Sequence, residues 1–74
     1  PDDELLMAVM LKQFEDKQIK VDPGLISFAC SRIDRTFEAV KNFVELIDRV
    51  ALTEKREITI PTANKVLKSL YARA

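Results

Sequence analysis

Phe37-Glu38-Ala39-Val40-Lys41-Asn42-Phe43-Val44-Glu45-Leu46-Ile47-Asp48-Arg49-Val50-Ala51 decides the fold. Phe37, Val40, Val44, Ile47 and Ala51 step by 3, 4, 3 and 4 residues, the spacing of one helical face. Phe43, Leu46 and Val50 widen that face. Glu38, Lys41, Asn42, Glu45, Asp48 and Arg49 line the other side. The pattern predicts a long helix from about Arg35 to Glu54, the hydrophobic post of the domain, with Asp34 as its N-cap.

Working toward the N-terminus, Asp22-Pro23 reads as an N-cap followed by a proline in the first helical position, where the missing N–H costs nothing. A short helix from about Pro23 to Arg32 follows, with Leu25, Phe28, Ala29 and Ile33 as its apolar side. An earlier helix is expected from about Asp3 to Lys17, capped by Asp2 and carrying Asp3 and Glu4 at the positive end of its dipole. Its core face is Leu6, Val9, Met10 and Phe14. Ile19 and Val21 pin the connector. Leu5, Met7 and Leu11 exceed what one apolar stripe needs, and are either extra core or a surface that contacts another domain.

On the C-terminal side, Glu54-Lys55-Arg56-Glu57 is a polar turn and Ile58-Thr59-Ile60 is expected to be extended. Thr59 then caps a last helix through about Tyr71, with Pro61 in its first turn and Ala63, Val66, Leu67 and Leu70 facing inward. Residues 1–74 therefore form a single all-α domain, a small four-helix bundle around one long helix.

Composition removes several function classes. The 74 residues carry 12 basic and 12 acidic side chains, so strong direct DNA binding by this domain is not expected. There is no His, which excludes imidazole catalysis, and one Cys, which excludes an internal disulfide and a cysteine-cluster metal site. No metal site is expected. A single Gly rules out a Gly-rich phosphate loop. No apolar run approaches the roughly 20 residues of a membrane span. Cys30 has no His partner, fits a reducing cytoplasm and is expected to pack as a small hydrophobe. The chain begins at Pro1 without Met, which suggests a processed product or a piece of a longer protein.

Three clusters bear on function. Arg32, Asp34 and Arg35 crowd one helix junction, either as an anion site of two guanidiniums or as a capping cluster with one arginine paired to Asp34. Lys55, Arg56, Lys65, Lys68 and Arg73 form a basic strip, which most often is a solvated face. Glu45 and Asp48 flank Arg49 on one helix face without forming a catalytic dyad, and no catalytic residue is assigned.

Taken in order, Asp2-Asp3-Glu4, Ile19-Lys20-Val21-Asp22-Pro23, Arg32-Ile33-Asp34-Arg35 and Arg56-Glu57-Ile58-Thr59-Ile60-Pro61 resemble the C-terminal lid subdomain of AAA+ proteins of the DnaA/Hda family. The similarity covers nearly the whole chain and is greatest to Hda-like regulators, which inactivate the bacterial replication initiator DnaA. Their lid starts its long helix with a similar Arg-hydrophobic-Asp-Arg and precedes its last helix with a similar Ile-Thr-Ile-Pro. Each motif is short; order and spacing carry the weight.

The resemblance implies a bacterial, cytoplasmic protein of replication initiation control. Its lid would close over ADP or ATP with Mg held by a preceding nucleotide-binding domain, and would help adjacent protomers pack. The parent would promote hydrolysis of ATP bound to DnaA together with the sliding clamp, reached through a segment not among these residues. The lid by itself would be no enzyme and would hold no cofactor alone. The alignment departs from the family at one place: Glu38 stands at the sensor-II position, where an arginine normally reaches the phosphates. A carboxylate repels phosphate. Arg35, three residues earlier, and Arg32 are the substitutes. Leu5, Met7 and Leu11 would meet the nucleotide domain. Two alternatives remain: a histone-fold-like dimerisation module, built from a short, a long and a short helix, and the lid of DnaA itself or of a clamp-loader-type AAA+ protein.

Overall fold

A computed structural model describes residues 2–54 and 58–71. They form four helices: α1 Asp3–Asp16, α2 Pro23–Cys30, α3 Phe37–Glu54 and α4 Ile60–Tyr71. The expected all-α bundle with one long helix is what the chain adopts.

The start of α1 follows from its sequence. Asp2 is extended, and its carboxylate accepts the Leu5 N–H at 2.8 Å. Its end is less obvious. Gln18 takes φ of 60°, the left-handed conformation usually left to Gly. The Gln18 N–H then donates to the Glu15 carbonyl at 2.9 Å and the Ile19 N–H to the Phe14 carbonyl at 2.9 Å. This is the Schellman pattern, and it satisfies carbonyls that a helix end leaves open. The reversal also turns Ile19 back toward the core, where it packs half-buried.

Pro23 opens α2 as expected. Asp22 contributes its backbone carbonyl to Leu25 and Ile26 N–H, but its side chain caps nothing. The helix ends at Cys30, earlier than Arg32, because the chain tightens: Arg32 and Ile33 N–H both turn to the Ala29 carbonyl.

The cap of α3 is a correction to the sequence. Thr36, not Asp34, accepts the free Ala39 N–H, at 3.0 Å through Oγ1, and the helix begins at Phe37. Asp34 lies one bend earlier, with its carbonyl accepting the Thr36 N–H at 2.8 Å. Phe37 is therefore not an inner-face residue: it sits on the first turn and is 48% exposed. Ile60, expected in an extended segment, is already helical, so Ile58 and Thr59 are the described residues between α3 and α4. Thr59 does stand at the α4 start, its Oγ1 3.1 Å from that of Thr62.

The core draws on every element. Leu6, Met10 and Phe14 from α1, Leu25 and Ala29 from α2, and Val40, Phe43, Val44 and Ile47 from α3 are fully buried. Ala63, Val66 and Leu67 from α4 close it. Phe14 and Phe43 meet edge to face, centroids 6.4 Å apart at 85°. No buried side-chain polar atom among the described residues lacks a partner. The helices pack as a ring: α1 on α2, α2 on α4, α4 on α3 and α3 on α1. This places the α1–α2 edge and the α3–α4 edge on opposite sides of the bundle.

Candidate functional site

The turn between α2 and α3 carries both candidate arginines, and each guanidinium has its own partner. Arg32 lies over the Phe28 ring, 4.0 Å from ring centre to Cζ, and its Nη1 donates to Ser31 Oγ at 3.1 Å. Positions 28 and 32 are one helical turn apart, so the stacking follows from i, i+4 spacing at the frayed end of α2. Ser31 Oγ in turn donates to the Phe28 carbonyl at 2.7 Å. Arg35 forms an ion pair with Asp3 in the first turn of α1. Both side chains are more than half exposed, so the pair adds little to stability, about 0–1 kcal/mol. An exposed guanidinium in one such pair keeps donors free for a second acceptor.

The expected pairing of Asp34 with either arginine does not occur among the described contacts. Asp34 instead offers its backbone N–H to the Tyr71 hydroxyl at 2.9 Å. That bond ties the end of α4 to the α2–α3 turn across 37 residues of sequence. Sequence reasoning missed it. The available signal was a tyrosine closing an otherwise aliphatic inner face.

Glu38 is exposed on the first turn of α3. With Asp34, Thr36, Asn42, Leu70 and Tyr71 it lines a shallow pocket of about 180 Å³. Two carboxylates on that pocket make it a poor seat for phosphate. Among the described residues, Arg32 and Arg35 are the cations of the α2–α3 turn itself.

Leu5, Met7 and Leu11 do not form one patch. Positions 5 and 11 are six residues apart, which puts them about 120° apart around a helix. Leu5 is 48% and Leu11 43% exposed, while Met7 is half-buried against the core. Met7 and Leu11, with Ala8, Pro23 and Ile26, line an apolar groove of about 240 Å³ between α1 and α2. Leu5 stands outside it.

Cys30 is buried, its Sγ 4.0 Å from Met10 Sδ, and burial pushes the thiol pKa up. Such a thiol is not poised as a nucleophile. Asp48 pairs with Lys17 at 3.7 Å, which ties α3 to the end of α1. Lys65 and Lys68 are exposed on α4. Lys55, Arg56 and Arg73 lie outside the described residues. Among the described residues no three potential metal ligands come together, and no helix is long and apolar enough to cross a membrane.

Comparison with protein-family models, with curated proteins and with solved structures gave no match.

Proposed function

We propose that the chain is the lid subdomain of an AAA+ regulator of the Hda type. In this role it closes a nucleotide pocket in its parent protein. The parent promotes hydrolysis of ATP bound to the initiator DnaA, together with the sliding clamp. The observation that carries the proposal is the Arg32-Ile33-Asp34-Arg35 turn. It joins a short helix to the long one and leaves Arg35 exposed beside the first turn of α1.

The residues fit one part of nucleotide binding only. Two guanidiniums at one end of the bundle suit the outer, phosphate-facing edge of ADP or ATP. The phosphate loop and the Mg ligands belong to the nucleotide domain of the parent. Asp3 holds Arg35 in place without burying it, so a phosphate can compete for the same guanidinium.

Replacing Arg35 with Ala in the parent protein and measuring ADP affinity tests this role. Loss of one charge-assisted contact predicts weakening by about tenfold. Unchanged affinity would remove Arg35 from the pocket and leave Arg32 as the remaining substitute for the sensor-II arginine. The wider assignment is checked by hydrolysis of DnaA-bound ATP in the presence of the clamp, with and without the parent protein.

A histone-fold-like dimer is less well supported. In that arrangement the long helix needs a second chain to cover its apolar face. Here Val40, Phe43, Val44 and Ile47 are each 0% exposed within one chain.

A further inference from the structure

The groove between α1 and α2 has a charge pattern as well as an apolar floor. Glu4, Ala8, Leu11 and Glu15 step by 4, 3 and 4 residues and so share one stripe of α1. Leu11 and Ala8 line the groove, and a carboxylate stands at each end of the stripe. Eleven residues of helix separate those carboxylates by about 16 Å. The opposite wall is Pro23 and Ile26 of α2. Glu4 and Glu15 are exposed and make no ion pair among the described residues. Lys12, the basic residue next to the stripe, lies a further step round α1 beyond Ala8. The segment as a whole leans the same way: up to residue 22 the sequence holds Asp2, Asp3, Glu4, Glu15, Asp16 and Asp22 against Lys12, Lys17 and Lys20, although the whole chain is neutral and Asp3 is paired to Arg35.

An apolar slot bracketed by carboxylates selects its occupant by charge. We infer that this groove seats an amphipathic helix with an aliphatic ridge and Lys or Arg at either end of it, about three turns apart. The inference rests on the α1 face being an interface, as in the proposed lid, and adds the chemistry of what covers it. The ridge fills the space between Leu11, Met7 and Ile26. The flanking cations meet Glu4 and Glu15. An acidic or uncharged ridge gains only the apolar part.

The test uses the 74-residue chain labelled with nitrogen-15 and a synthetic 15-residue helical peptide. The peptide carries Leu at helical spacing and Lys at two positions eleven apart. A twin carries Glu in place of Lys. The lysine peptide is expected to shift the amide signals of Met7, Ala8, Leu11 and Ile26 and to bind about tenfold more tightly than its twin. Reversing Glu4→Lys and Glu15→Lys together should invert that preference. Leu11→Ala should weaken both peptides, and Leu11 is exposed enough for the variant to fold.

Equal affinities, shifts away from the groove, or no binding would overturn the proposal. So would concentration-dependent shifts at the same residues without peptide, because a second copy would then be the occupant. The lid assignment is judged separately, by the parent's nucleotide affinity. A groove that prefers the lysine peptide in a protein whose ADP affinity ignores Arg35, Arg32 and Leu11 would sink the lid and leave the groove's chemistry standing.

Discussion

Gln18 holds a conformation that an L-residue with a Cβ adopts at a cost of about 1–2 kcal/mol. Its side chain is exposed, so the backbone alone explains its position. Gln18→Gly should therefore raise stability by about 0.5–1 kcal/mol, after allowing for the extra freedom Gly gives the unfolded chain. Thermal unfolding followed by circular dichroism would show it, and an unchanged or lower midpoint would mean no strain is held there. Cys30 supplies a pH dependence. Burial raises the thiol pKa above its ordinary value of 9.0, so the folded chain keeps the proton that the unfolded chain gives up. The associated stability is fully present below that value and is lost as pH rises through the higher, folded one. The difference in stability between the wild type and Cys30→Ala should be flat in neutral solution and shrink in alkaline solution. Denaturant titrations across that range check it, and a constant difference would show that the thiol is not linked to folding. The Gln18 effect was not legible in the sequence, whereas the burial of Cys30 was, as a small hydrophobe, although its contacts were not. Gln18 carries no turn signal of its own, and an isolated cysteine says nothing of its neighbours.

At the level of elements, the sequence stated the type of all four helices and misplaced some of their ends. The long helix was readable because Val40, Val44 and Ile47 recur at helical spacing and are all fully buried. Its start was not. Asp34 and Thr36 are both good caps, and only the three-dimensional chain selects Thr36, which directly precedes the first helical residue and accepts the Ala39 N–H. That choice moves Phe37 from the expected inner face to the first exposed turn. The two phenylalanines of α3 should consequently respond very differently. Phe43→Ala removes a ring that is 0% exposed and in edge contact with Phe14, and should cost about 3–5 kcal/mol. Phe37→Ala removes a ring that is nearly half exposed and should cost well under half of that. Urea unfolding of both variants measures the contrast, and equal losses would return Phe37 to the core. The site shows the same division. The residues Arg32, Arg35 and Glu38 were legible as a cluster, but their partners were not. Phe28 and Asp3 are brought to them by the frayed end of α2 and by α1 packing beside the α2–α3 turn.

For the molecule as a whole, the ring of four helices determines what the chain needs from other chains. A 74-residue domain has little surplus stability, and its core must be closed to be stable alone. The closure is supplied from within. Met10 and Phe14 of α1 cover one side of the α3 apolar face, and Ala63, Val66 and Leu67 of α4 help cover the other. The apolar surface that remains on α1 and α2 is a groove around Leu11 and the separate Leu5 side chain, less than the full helix face an obligate dimer would leave open. The 8.5 kDa chain is therefore expected to sediment as a folded monomer at micromolar concentration, with a melting midpoint that does not move on dilution. A dimer whose helix content falls with dilution would contradict this. It would mean that the α3 face is shared between chains, and the histone-fold-like module would then replace the lid as the better account of the same four helices.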